Sequence, residues 1–157
     1  MVSYLASYNI TNNSPYGPPH TYGRVWLDIE GPGLYWGSDH SANANFIQEL
    51  LSTAASLHLD VGIYTSASQW IPIVGSWTGG AAYPLWCTWC TVCLRAVIVY
   101  SQAQRPRVSP CCADANYDGE ENFDDFRPFN GWTSPHIKQY SGSGSECGMT
   151  VDLDWFP

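Results

Sequence analysis

Asp28 and Glu30 stand one residue apart in the run Arg24-Val25-Trp26-Leu27-Asp28-Ile29-Glu30. Val25, Leu27 and Ile29 alternate with Trp26, Asp28 and Glu30, and Gly31-Pro32-Gly33 ends the run, so the segment reads as a short strand. Residues i and i+2 of a strand share a face, which aims both carboxylates the same way. In parallel α/β architectures the C-terminal ends of strands are where chemistry sits. A solvated acidic strand end fits the same pattern, so the pair by itself leaves both readings open. A second pair repeats the spacing: the alternation in Val151-Asp152-Leu153-Asp154-Trp155-Phe156 aims Asp152 and Asp154 at one face.

The elements that would position these acids follow one another in βα fashion. Ser41 to Leu57 carries Phe46, Leu50, Leu51, Ala54 and Leu57 at spacings of three and four, an amphipathic helix with Ser41 as its N-cap. Leu59 to Ser66 is a second strand, and a short helix runs from Gln69 to Val74. Tyr83-Pro84-Leu85-Trp86 is a third, brief strand, Phe123 to Phe129 an aromatic-rich connection, and Ile137-Lys138-Gln139-Tyr140 a fourth strand. Ser141-Gly142-Ser143-Gly144-Ser145 reads as a flexible loop before a last strand over Met149 to Phe156. Strand and helix in alternation imply a parallel sheet or barrel in a single domain of 157 residues.

Composition narrows the partners. Six basic residues against 14 acids give a formal charge of -8, which argues against a nucleic-acid backbone or an anionic membrane surface. The 8 Trp, 10 Tyr and 5 Phe suit carbohydrate, because sugar rings stack their C–H faces on aromatic rings, though core packing uses the same residues. No apolar stretch reaches the roughly 18 residues of a membrane span, and no basic and apolar secretion leader is seen. Asn9-Ile10-Thr11 and Asn12-Asn13-Ser14 fit the glycosylation sequon, which matters only in a secreted protein. Five of six cysteines, Cys87, Cys90, Cys93, Cys111 and Cys112, cluster in one stretch. A zinc reading of Cys87-x-x-Cys90-x-x-Cys93 lacks well-placed partner ligands, so no metal or cofactor is expected.

Taken in order, several segments resemble the family 25 glycoside hydrolases, the Chalaropsis-type lysozymes, and most of all their amoeba and nematode branch. They are Asp28-Ile29-Glu30, Gly62-Ile63-Tyr64-Thr65-Ser66 with Gln69-Trp70, Tyr83-Pro84-Leu85-Trp86, and Phe126-x-Pro128-Phe129-x-Gly131-Trp132-x-x-Pro135. Ile137-Lys138-Gln139-Tyr140, Cys147-Gly148 and Val151-Asp152-Leu153-Asp154 complete the set. The resemblance implies an irregular TIM-like β/α barrel with its groove at the C-terminal strand ends. It implies cleavage of the β-1,4 bond between N-acetylmuramic acid and N-acetylglucosamine in bacterial peptidoglycan, by a monomer that is secreted or works in lysosomes or phagosomes. By the same resemblance Glu30 is the general acid, its pKa raised by burial and by the charges of Asp28 and Asp152. Asp28 either steadies the substrate's N-acetyl group as internal nucleophile or attacks directly, with net retention. Tyr64, Trp86 and Gln139 line the groove. A catalytically inactive peptidoglycan-binding fragment is the rival reading, and a chitinase-like enzyme is disfavoured because Arg24 to Leu27 holds no further Asp.

Two departures from the family pattern shape the expectation. The family begins with three more strands, the first carrying another acidic site residue, so this sequence corresponds to an incomplete barrel in which Cys147 has lost a disulfide partner. The pattern also runs from Trp86 through one Tyr to Ala115-Asn116-Tyr117-Asp118, and here 87–114 intervenes. An intron opening after the first base of Cys87 and closing before the second base of Asp114 would restore that Tyr in frame. A retained intron is therefore expected, the other reading being a Cys-rich loop inserted at the groove rim.

Overall fold

The computed structural model describes residues 23–88 and 119–157, so the sequons, four of the clustered cysteines and nearly all of the 87–114 segment lie outside the described residues. Five strands form one sheet in chain order: β1 (Val25–Asp28), β2 (Val61–Thr65), β3 (Leu85–Thr88), β4 (Ile137–Glu146) and β5 (Met149–Trp155). β1 to β4 are parallel and β5 returns antiparallel to β4. Helix α1 (His40–Ser56) links β1 to β2, and helix α2 (Ala67–Val74) with a 3-10 turn at Gly79–Ala82 links β2 to β3. The result is a mixed α/β fold, and no helix among the described residues is long and apolar enough to cross a membrane.

Alternation along the strands sorts the two faces of the sheet. Val61, Ile63 and Leu85 face the helices and join Ile47, Leu51, Trp70, Ile73 and Trp132 in one buried core. Full burial of each such side chain is worth about 1.5–3 kcal/mol, so this face holds the sheet in place. Trp70 is central: it stacks on Trp77 at 5.6 Å and meets Trp132 edge-on at 4.9 Å. Lys138 also points to this side and is buried, with its Nζ 2.8 Å from Asp125 Oδ1. That ion pair ties the connection ahead of β4 to the sheet.

Three sequence expectations shift. Helix α1 is capped by Asp39 rather than Ser41: Asp39 is extended (φ -87°, ψ 100°), and its Oδ1 accepts from the Ser41 and Ala42 N–H groups at 2.9 and 3.1 Å. A carboxylate serves that position well because the first turn leaves N–H groups unpaired at the positive end of the helix dipole. The Ser/Gly run 141–145 belongs to β4 instead of a flexible loop, since β5 pairs along it from Ser141↔Leu153 to Glu146↔Met149. Cys147 and Gly148, both at positive φ, close that hairpin, the backbone a two-residue primed turn requires. The Cys147 thiol is exposed and in no disulfide. Finally, β3 runs on through Thr88, which seats Cys87 fully buried in the core.

Candidate active site

The strand registers build the site row by row. Asp28 pairs with Tyr64, Tyr64 with Trp86 and Trp86 with Ile137. Thr88 then pairs with Gln139, and Gln139 with Asp154. Partners across a pleated sheet share a face, so these rows bring side chains from all five strands to the side away from the helices. There they surround an open cavity of about 360 Å³ lined by Trp26, Asp28, Glu30, Tyr64, Trp86, Gln139, Asp152 and Asp154.

All six residues expected from the sequence, Glu30, Asp28, Asp152, Tyr64, Trp86 and Gln139, thus meet at one cavity. Trp26 and Asp154 line it as well and had not been assigned to it. The signal for both was present, because Trp26 alternates with Asp28 and Asp154 with Asp152. Glycine at 62 makes room for Trp26: a Cβ on Gly62 would run into the indole ring.

Aromatic rings form one wall. Trp86 meets Trp26 edge-on with centroids 5.5 Å apart and Tyr64 edge-on at 5.1 Å. Two hydrogen bonds fix that wall: Tyr64 Oη donates to Gln139 Oε1 at 2.7 Å, and Trp86 Nε1 donates to Asp154 Oδ1 at 2.8 Å. Because the Gln139 carbonyl oxygen takes the tyrosine proton, its amide nitrogen is the end available to a ligand.

The carboxyls respond to this setting in different ways. Partial burial raises the pKa of Asp28 from its ordinary value. Glu30 is raised first by burial and then by the negative charge of Asp28. Asp154 is raised by burial, pulled back by the Trp86 hydrogen bond, and pushed up again by Asp152. Of the two charges expected to act on Glu30, Asp28 therefore does so, whereas the charge of Asp152 falls on its neighbour Asp154. A carboxyl that holds its proton beside a second carboxyl can act as an acid toward a bound group while its neighbour supports developing positive charge. Among the described residues no group of three or more His, Cys, Asp and Glu side chains is arranged to hold a metal ion.

Comparison with known proteins gives a consistent picture. The family model described as Lysozyme-like protein 1 matches residues 11–93. "Probable GH family 25 lysozyme 5" of Dictyostelium discoideum is 47% identical over 133 residues, covering 84% of this chain and 49% of that protein. "Probable GH family 25 lysozyme 4" of the same organism is 40% identical over 157 residues, 100% of this chain and 55% of its own length. The chain thus spans about half the length of these relatives. A muramidase structure from Acremonium alcalophilum superposes with a TM-score of 0.54 at 21% identity, over 84% of this chain and 50% of that one, a likeness of fold.

Proposed function

The chain belongs to the family 25 glycoside hydrolase lysozymes, and from that premise we propose that it cleaves the β-1,4 bond between N-acetylmuramic acid and N-acetylglucosamine in bacterial peptidoglycan. One observation carries the reading: Asp28 and Glu30 share an aromatic-walled cavity in which burial and the charge of Asp28 raise the Glu30 pKa from its ordinary value. Glu30 enters protonated and passes its proton to the glycosidic oxygen as the C1–O bond breaks. Positive charge then develops at C1, and the Asp28 carboxylate opposes it. Asp28 either accepts a hydrogen bond from the substrate's acetamido N–H while the acetamido oxygen attacks C1, or attacks C1 itself. In both routes Glu30, now a carboxylate, takes a proton from the water that releases the sugar, with net retention of configuration.

The rest of the cavity supports this use. Trp26, Tyr64 and Trp86 offer ring surface to the C–H faces of sugars, and the Gln139 amide offers a donor to a carbonyl or hydroxyl. Asp152 and Asp154 bound the far side. The five strands are read as part of an irregular β/α barrel that opens at their C-terminal ends, acting as a monomer on glycan strands after secretion or in a lysosome or phagosome.

The decisive assay follows the turbidity of a Gram-positive cell-wall suspension. The protein is expected to clear it and the Glu30→Gln variant to leave it turbid; clearing by the variant would remove Glu30 from the acid role. The aromatic wall also favours a second reading, a catalytically inactive peptidoglycan-binding fragment, since stacking needs no acid. Co-sedimentation with insoluble peptidoglycan, without clearing and without release of new reducing ends, would select it.

A further inference from the structure

Glu30 lies two residues beyond β1, past the last ladder pair Asp28↔Tyr64, so strand pairing does not set its direction. Side chains from elsewhere take over. Trp36 Nε1 donates to the Glu30 carbonyl oxygen at 2.9 Å, and the Gly31 N–H donates to Gln69 Oε1 at 3.0 Å. Those two backbone groups are the halves of a single peptide unit, so the plane between Glu30 and Gly31 is gripped at both ends. The preceding unit is held as well, because Thr65 Oγ1 donates to the Ile29 carbonyl oxygen at 2.7 Å. Planes fixed on both sides of a Cα fix its φ and ψ, and with them the direction of its Cα–Cβ bond.

We propose that Gln69, acting with Trp36 and Thr65, is a positioning residue that sets where the Glu30 carboxyl points. Gln69 is suited to this for three reasons. It sits on α2 next to Trp70, which is fully buried, so its backbone is tied to the rigid core. Its amide oxygen accepts the Gly31 N–H without adding a charge beside two carboxyls. The residue it holds, Gly31, has φ +77° and lies under the Tyr35 ring, where a Cβ would collide, so the chain turns sharply away just after Glu30. Trp36 is itself braced by an edge-on contact with Phe46 of α1 at 6.1 Å. The grip therefore connects the acid to both helices, and it rests on the proposed role of Glu30.

The test compares Gln69→Ala and Gln69→Glu in the full chain by two readouts. Amide exchange followed by NMR should show the Gly31 N–H exchanging about tenfold faster or more in Gln69→Ala, while the Ile63 N–H, bonded to the Pro84 carbonyl in the core, is unchanged. On solubilised peptidoglycan, kcat should fall roughly tenfold to a hundredfold with KM within about twofold, since misplacement by about 1 Å is that costly. Gln69→Glu keeps an acceptor for Gly31 and should restore the Gly31 exchange rate to within about threefold of the original chain, while its added charge acts on kcat separately. Unchanged Gly31 exchange in Gln69→Ala, a loss confined to KM, or a Gln69→Glu variant whose Gly31 N–H exchanges as fast as in Gln69→Ala would each overturn the proposal. If Gln69→Ala also loses Ile63 protection, Trp36→Phe replaces it: the ring is kept, the donor is lost, and the same kcat fall is required. A chain without activity would refute the acid role of Glu30, and the Gly31 exchange comparison would still decide whether Gln69 holds this peptide.

Discussion

Asp28 and Glu30 on one side of the cavity and Asp152 and Asp154 on the other share a spacing, a charge and a solvent, yet the protein holds them in opposite ways. At Glu30 the backbone is gripped by Trp36, Gln69 and Thr65, while the carboxyl accepts no hydrogen bond among the described residues. At Asp154 the carboxylate itself is gripped, by Trp86 Nε1, on a strand whose ladder with β4 is broken by register shifts. A donor to a carboxylate favours its charged form, and burial without a donor favours the neutral form. One pair carries Glu30, aimed through its backbone and raised by burial and by Asp28; the other carries Asp154, whose rise through burial is partly offset by the Trp86 hydrogen bond that braces an aromatic wall. Identical spacing in sequence does not specify which.

The contrast can be broken most severely at Glu30. Glu30→Gln should lower the rate of wall hydrolysis by about a thousandfold or more, the worth of a positioned general acid, in a turbidity or reducing-end assay. Asp28→Asn comes next, with a loss of about a hundredfold. It also removes the negative charge that helps to raise Glu30, so the alkaline limb of the pH–rate profile should move to lower pH; a limb that stays in place or moves up would show that burial alone tunes the acid. Gly62→Ala tests the floor beneath the first pair, where a new Cβ meets the Trp26 ring. It should cost about 1–3 kcal/mol of stability, read as a lower midpoint in denaturant unfolding. Asp154→Asn should change the hydrolysis rate by no more than about threefold, because the amide oxygen still accepts from Trp86; a loss comparable to that of Asp28→Asn would erase the distinction between the pairs.

The smallest effect concerns stability, and its sign is opposite to that of activity. Asp28, Glu30 and Asp154 all have folded pKa values raised above their ordinary ones of 3.8, 4.5 and 3.8. Their contribution to stability is therefore full below those ordinary values and is lost as pH rises through the raised ones. Glu30→Gln should accordingly melt at a slightly higher temperature than the original chain at pH 7 and show no advantage at pH 3.5. A lower melting temperature at pH 7 would contradict the raised pKa.

Much of this arrangement was legible before any coordinates. Period-two alternation placed Asp152 and Asp154 on one face and Asp28 on the face of Trp26. The spacings of three and four along α1 found Leu51 and Ala54, which are buried, but also named Phe46 and Leu57, which stay about half exposed while Ile47 takes the core position. What alternation could not carry was tertiary. That Trp26 joins the cavity depends on Gly62 one strand away, and that Asp154 is held depends on Trp86, 68 residues distant in sequence. The Ser/Gly run of β4 has loop composition, and only its partner β5 makes it a strand. The grip on Glu30 uses Trp36, Thr65 and Gln69, three residues with no mutual periodicity, which only folding gathers at one peptide.

The buried pair of Lys138 and Asp125 has a bearing on fidelity of assembly. Lys138 and Gln139 are adjacent on β4, and the pleat sends the ammonium toward Asp125 and the amide toward the cavity. A slip of β4 by one residue would exchange them. An ammonium would then enter a ring of four carboxyls, pulling down the pKa values that burial raises, and leave Asp125 facing an uncharged partner. Such a misassembled sheet would lose stability at Asp125, left without its countercharge, and lose the raised pKa values at the cavity. One ion pair remote from the cavity thus acts as a proofreading device for the electrostatics within it.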